Sequence, residues 1–264
     1  MAKDLKVVAL SMNIECCRPN ENMAVALNMI SKLDDDVDVI VLPELFSTSF
    51  ISDKERLSKY AETNDGPTID TLREVSTARN CMLSGSFAAV EDGQFFNRGF
   101  MLLPDGMEAF YNKRHLFSVS KEAEIFTQGQ AYMPVLNFHG WNVSMMICYD
   151  LRFPVWSRNV RHRYDMLLVP ANWPMSRGYA WTHLLIARAI ENQAVVVGAN
   201  RGGSDGFGNY DGLSEIFDGF GKPIGRQIED GTAVEAIVSY SDLLEARRKL
   251  PAHFDADDFT IPIS

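Results

Sequence analysis

The first residues of the chain alternate too little for a half-exposed strand: Leu5 to Asn13 is an almost unbroken apolar run and reads as a buried strand. Met23, Leu27, Ile30 and Leu33 then recur at helical spacing, and Val37 to Leu42 forms a second apolar β-type run stopped by Pro43. A strand, a helix and a strand in succession predict a layered α/β protein. After Asp65-Gly66-Pro67, where the proline suits a first helical turn, Ile69, Leu72, Val75 and Ala78 predict another amphipathic helix. Cys81 to Val90 follows as a strand. Phe95 to Leu103 and Met107 to Asn112 flank Pro104-Asp105-Gly106 in a hairpin-like pattern, so antiparallel pairing joins the parallel kind.

The second half repeats the alternation. Trp141 to Cys148, Met166 to Pro170 and Ala194 to Asn200 read as strands, and Pro154 to Arg163 and Gly178 to Gln193 as the helices between them. Short strands around Leu213 to Phe217 and Val234 to Val238 precede a helix from Asp242 to Leu250. No shift in composition, internal repeat or low-complexity linker divides the chain, so one domain over 1–264 is expected.

Composition narrows the class. Apolar residues make up 46% and charged residues 23%, which excludes disordered, collagen-like and coiled-coil chains. A formal charge of -10 argues against a nucleic-acid surface, which needs a basic stripe. The basic clusters at Arg158 to Arg163 and Arg247 to Lys249 read as solvated helix faces. No apolar run reaches the ~18 residues of a membrane span, and the N-terminus does not resemble a signal peptide, so a cytoplasmic location is the default. The four cysteines, Cys16, Cys17, Cys81 and Cys148, include no CxxC, and an adjacent pair is a poor disulfide. In that compartment the sequon Asn142-Val143-Ser144 is read as chance.

Several motifs fail. Gly202-Gly203-Ser204-Asp205-Gly206-Phe207-Gly208 lacks the Gly-Lys-Ser/Thr of a phosphate loop, and Asp211 stands where GxGxxG requires its third glycine; a flexible loop between strands is expected. The five histidines are scattered without metal-ligand spacing, so no metal is expected. There is no GxSxG elbow.

Four positions remain. Cys148 closes an apolar strand and is followed at once by Tyr149-Asp150-Leu151-Arg152, a polar turn. A buried cysteine is more often packing than chemistry, but one between a strand and a helix lies near unpaired N–H groups and the positive end of the helix. Such help matters because a free thiol, with a pKa of about 8.5, is mostly protonated at neutral pH. Glu44, just beyond the strand ending at Leu42-Pro43, sits where α/β sheets gather ligand-binding groups, or else simply starts a helix. Lys113 after a hairpin strand and Glu122 in Ser120-Lys121-Glu122-Ala123-Glu124 read, by themselves, as solvated charges.

Together these positions resemble the nitrilase superfamily of carbon-nitrogen hydrolases, whose active site is Glu, Lys and Cys in that chain order. The resemblance covers essentially the whole chain. It rests on Leu42-Pro43-Glu44-Leu45-Phe46, Asn112-Lys113-Arg114-His115-Leu116-Phe117 and Ile147-Cys148-Tyr149-Asp150-Leu151-Arg152-Phe153-Pro154, joined by Ala171-Asn172-Trp173-Pro174 and Arg188-Ala189-Ile190-Glu191-Asn192-Gln193. It implies Cys148 as nucleophile, Glu44 as base, Lys113 and the backbone N–H of Tyr149 as oxyanion donors, and Glu122 as the acid that holds Lys113. Asp150 and Arg152 then brace the elbow, Arg188 and Glu191 form a structural pair, and Phe117, Trp173 and Met175 wall the pocket.

Within the superfamily these segments look closest to bacterial omega-amidases, which hydrolyse the terminal amide of 2-oxoglutaramate and 2-oxosuccinamate. Phe50 departs from the tyrosine that some omega-amidases carry there, so no contact through that hydroxyl is carried over. The resemblance also implies a four-layer α-β-β-α sandwich, no cofactor, and a homodimer packed through the helices near Cys148 and Gly178 to Gln193. Another amidase, a carbamoyl-amine hydrolase or a nitrilase would use the same residues. A scaffold without turnover, or a thiol redox protein pairing Cys148 with Cys16, Cys17 or Cys81, are the readings of other classes.

Overall fold

A computed structural model describes residues 2–257 and 259–261. Its strands are β1 (Leu5–Leu10), β2 (Val39–Val41), β3 (Met82–Glu91), β4 (Gln94–Leu102), β5 (Glu108–Asn112), β6 (Val135–Phe138), β7 (Trp141–Met145), β8 (Met166–Ala171), β9 (Val195–Asn200), β10 (Gly202–Asp205), β11 (Gly208–Asp211), β12 (Glu215–Phe217), β13 (Arg226–Ile228) and β14 (Ala233–Val238). The helices are α1 (Pro19–Ser31), α2 (Lys54–Leu57), α3 (Pro67–Arg79), α4 (Glu122–Ile125), α5 (Gly178–Asn192) and α6 (Tyr240–Lys249).

Two sheets form. One has the order β13-β14-β1-β2-β3-β4-β5, the other β12-β9-β8-β7-β6. Each has a parallel centre, β1-β2-β3 in the first and β7-β8-β9 in the second, flanked by antiparallel strands. The alternation within β1 shows how they stack: Leu5, Val7 and Ala9 belong to the core between the sheets, whereas Val8 and Leu10 pack under α1 and α3 with Ala26, Ile30, Ile69 and Leu72. On the far side Trp181, Leu185 and Ala189 of α5 cover the second sheet. The result is the four-layer α-β-β-α sandwich. At Gly99 the sheets approach so closely that a Cβ would lie 2.2 Å from Met145 Cε, so a larger residue there would force the Met145 side chain to move.

The helix starts follow the sequence signals. α1 and α3 each carry proline in the first turn, and α3 ends on Asn80 in the left-handed region, φ 51°. The expected helix over Pro154 to Arg163 does not form; turns and one 3-10 turn at Val160–His162 take its place. Asn159 is the cause, because its side chain accepts from Tyr164 N at 3.0 Å and donates to Tyr164 O at 2.7 Å, competing with helical bonds. The expected loop at 202–208 is instead part of the β10–β11 hairpin. β6 and β13 are short strands that the apolar pattern did not mark.

Arg247 is also not a solvated residue. It is 7% exposed, donates to Asp165 Oδ1 at 2.5 Å and to the carbonyls of Gln193 and Tyr164, and so ties α6 across the starts of β8 and β9. Among the described residues no helix is long and apolar enough to cross a membrane. Removing one partner of a buried ion pair typically costs about 3–5 kcal/mol, so Arg247→Ala should lower the unfolding free energy by that order. Urea titration checks this; a loss under about 1 kcal/mol would show that the pair does not hold α6.

Candidate active site

The three parallel strands of the second sheet and β2 of the first all end on the same side, and the chemistry-bearing residues follow those ends. Glu44 lies three residues beyond β2, Lys113 directly follows β5, Cys148 lies three residues beyond β7, and Asn172 directly follows β8. Together with Glu122, the first residue of α4, they line a cavity of about 670 Å³.

Lys113 is the centre of the cluster. Its Nζ donates to Glu44 Oε1 at 2.8 Å and to Glu122 at 2.8 and 3.0 Å, and it is only 2% exposed. The readings of Lys113 and Glu122 as solvated charges are therefore corrected: both are buried, each against the other. Asn97 of β4 donates to Glu44 at 2.7 Å and to Glu122 at 3.3 Å, and is itself held by Ser86. The second Glu44 oxygen accepts from Asn172 N at 2.9 Å, and Glu122 accepts from Phe117 N at 2.6 Å.

These contacts set the charges. Burial works hardest against the Glu44 carboxylate, yet the Lys113 charge and hydrogen bonds from Lys113, Cys148 and the Asn172 amide hold it below its ordinary value of 4.5. Burial likewise opposes the Lys113 ammonium, and the charges of Glu122 and Glu44 overcome it and raise it well above the usual lysine value. For Cys148, burial and then the Glu44 charge push the thiol well above its ordinary value, with Lys113 opposing. The resting site is thus a neutral thiol beside a carboxylate and an ammonium. Such a carboxylate can take the thiol proton as the sulfur attacks, and the ammonium can stabilise an oxyanion.

The elbow under Cys148 is strained and braced. Cys148 has φ 44°, left-handed backbone that a non-glycine residue holds only when its surroundings fix it. Cys148 opens a five-residue 3-10 turn, Cys148–Arg152, in which Tyr149 supplies one of the early N–H groups that lack a partner inside the turn. Asp150, fully buried, fixes this turn: it accepts from Ile147 N at 3.1 Å, Tyr111 OH at 2.9 Å, His115 N at 2.8 Å and the His115 ring at 2.7 Å. Arg188 of α5 donates to Leu151 O at 2.6 Å and pairs with Glu191 at 2.7 Å.

Phe117 and Trp173 line the cavity; Met175 does not, being 55% exposed in the turn that Pro174 starts. Arg152, expected to brace the elbow, instead faces the cavity beside Trp173. The β10–β11 hairpin supplies a further wall. Its root is Arg201, buried, which donates to Asp205 at 2.7 Å, Ser49 Oγ at 3.0 Å and Ile14 O at 2.6 Å, and its tip residue Phe207 packs on Phe50 with ring centroids 5.2 Å apart. Cys16 and Cys17 lie 3.5 Å apart by sulfur, and neither they nor Cys81 line the cavity. Among the described residues no three His, Cys, Asp or Glu side chains form a metal-holding group.

The sequence profile described as carbon-nitrogen hydrolase matches residues 6–244. The chain belongs to that family. Omega-amidase YafV of Yersinia enterocolitica is 41% identical over 227 residues, covering 85% of this chain and 86% of the relative. The 2-oxoglutaramate amidase of Bacillus subtilis is 29% identical over 252 residues, covering 94% and 96%. The crystal structure of XC1258 from Xanthomonas campestris, a CN-hydrolase superfamily protein with an arsenic adduct in its active site, is 33% identical with a TM-score of 0.91, covering 98% of this chain and 99% of that one. This carbon-nitrogen hydrolase is thus omega-amidase-like and acts on carbon–nitrogen bonds other than peptide bonds.

Sequence reasoning missed the hydrolase's Asn97, Ser86 and Tyr111. The signal was present: Asn97-Arg98 interrupts the apolar run Phe95 to Leu103, and Ser84 and Ser86 interrupt β3, all buried. Two outcomes follow. Alkylation of Cys148 by iodoacetamide, followed by mass spectrometry, should lack the rise near pH 8.5 of an ordinary thiol and increase only above about pH 9; a rise centred near 8.5 would show that burial and Glu44 do not hold the proton. Asp150→Ala should cut kcat by about 100-fold or more by loosening both the elbow and the Lys113 segment; near-normal turnover would show that the brace is dispensable.

Proposed function

We propose that the protein hydrolyses the terminal amide of a small 2-oxo dicarboxylic acid monoamide, 2-oxoglutaramate or 2-oxosuccinamate, through a thioester on Cys148. The observation that carries the reading is the buried Glu44 carboxylate, which accepts from the Lys113 ammonium and shares the wall of one cavity with Cys148. Omega-amidase relatives that match most of the chain support the substrate class.

Glu44 accepts the Cys148 proton while sulfur attacks the amide carbon. Lys113 and the Tyr149 N–H receive the oxyanion, each such donor being worth about 3 kcal/mol. Protonated Glu44 then gives its proton to the departing nitrogen, the C–N bond breaks, and ammonia leaves a thioester. A water, deprotonated by Glu44, attacks that thioester; the C–S bond breaks, and Cys148 regains its proton from Glu44. Glu122 stays out of the transfers and keeps Lys113 charged and in place. Asn172 adds a fitting contact, since its Oδ1 is a buried acceptor on the cavity wall without a partner among the described residues, suited to an amide N–H.

The homodimer belongs to this reading as well. Ile190 and Tyr179 of α5 are 52% and 79% exposed, and Val155 near the elbow is 58% exposed, so α5 buries one face in the monomer and leaves apolar groups outside for a second copy.

The test is ammonia release from 2-oxoglutaramate, 2-oxosuccinamate, glutamine, asparagine, N-carbamoyl amines and simple nitriles. Wild type should favour the 2-oxo amides, with Cys148→Ala inactive and Lys113→Met reduced about 100- to 1,000-fold in kcat. Preference for another compound would overturn the substrate, and full activity of Cys148→Ala would overturn the nucleophile. Because Glu44 titrates below 4.5, kcat/KM should hold level from pH 7 down to about 5 and fall only as acid protonates the base; an acid limb centred near pH 6 would contradict that assignment.

A further inference from the structure

Two arginines line the cavity, and neither serves the catalytic cluster. Arg152 closes the 3-10 turn that Cys148 opens, and its guanidinium lies over the Trp173 ring, 5.0 Å from the centroid. Arg177 ends a separate 3-10 turn, Met175–Arg177, and lies over the Phe117 ring at 4.8 Å. Both aromatic rings are cavity walls, so the two guanidiniums are held from two different segments against one space.

Neither arginine has an acid partner among the described residues. The hydrolase's buried arginines are neutralised: Arg98 by Glu91, Arg188 by Glu191, Arg201 by Asp205 and Arg247 by Asp165. Among the described residues Arg152 and Arg177 have no carboxylate within ion-pair distance. The cavity's own acids do not supply one, because Glu44 and Glu122 share Lys113 and Asp205 holds Arg201. That leaves Glu124 against Lys121, Arg152 and Arg177 on the rest of the wall, an excess of positive charge in a protein whose formal charge is -10. A guanidinium held over a ring has no acceptor there for its N–H groups, which stay available in the fork that matches a carboxylate.

We propose that Arg152 and Arg177 form the subsite for the carboxylate at the 2-oxo end of the substrate, the end remote from the scissile amide. The proposal rests on the 2-oxo amide reading above. The turn gives the scale: at a rise of about 2 Å per residue, Cys148 and Arg152 are about 8 Å apart along it. A short dicarboxylic chain can therefore lie with its amide carbon at sulfur and its carboxylate at the arginines. The subsite makes the free carboxylate a condition of tight binding, which separates 2-oxo acid monoamides from uncharged amides of equal length.

Two measurements test this on the full-length protein. In the first, the ratio of kcat/KM for 2-oxoglutaramate to that for pentanamide should fall about 10- to 100-fold in Arg152→Met and in Arg177→Met, the range for losing a charged hydrogen bond, mainly through KM and with partial recovery in the Lys variants. In the second, 2-oxopentanoate, which keeps the 2-oxo acid end and has no amide, is titrated calorimetrically into Cys148→Ala alone and combined with each arginine variant. Binding weakened about 10-fold or more by either arginine change supports the subsite. No binding, or binding unaffected by both, overturns it. If wild type does not hydrolyse 2-oxoglutaramate while 2-oxopentanoate still binds through the arginines, the substrate assignment falls and the subsite stands; if it hydrolyses 2-oxoglutaramate and the ratio is unmoved in both variants, the reverse holds.

Discussion

A lysine ammonium cannot be taken out of water alone. Lys113 is almost fully buried, and what makes that tolerable is a carboxylate on each side, Glu44 and Glu122. The three charges depend on one another: remove either acid and the ammonium is under-compensated, remove the lysine and two carboxylates face each other across a buried space. Because the three arrive from different places, one beyond β2, one after β5 and one at the start of α4, the fold has to bring those places together. The antiparallel β3-β4-β5 extension delivers Lys113 to the ends of the parallel strands, and Asn97 within it binds both acids at once.

Much of the layering was legible because buried strands and amphipathic helices have different periods. β1, β2, β8, β9, α3 and α5 follow from apolar spacing to within a few residues. The failures have local causes. Pro154 to Arg163 has enough apolar residues for a helix, but Asn159 satisfies backbone groups with its side chain, a competition that spacing does not register. The glycine-rich stretch pairs as β10–β11 because Gly203 can accept the close approach of Asn13, which is a tertiary contact.

The site was legible in another way. Periodicity alone left Glu44 and Cys148 ambiguous and favoured solvation for Lys113 and Glu122; only the family resemblance drew the four together. Nothing about Ser120-Lys121-Glu122 in isolation tells that its glutamate is 5% exposed, since burial there depends on a lysine nine residues earlier and an asparagine on another strand. Tyr111 and His115 were passed over for the same reason, their common partner Asp150 being far along the chain.

The β10–β11 hairpin separates two duties that are often fused. Its root is locked into the body by the buried Arg201, which reaches Ile14 and Ser49, while its tip carries Phe207 to the mouth of the cavity. Changes of length or residue at that tip leave the anchoring contacts intact and alter only what the mouth admits. The hairpin is thus an interchangeable part: descendants of this scaffold can acquire new preferences there without renegotiating the reactive residues or the sheets that hold them.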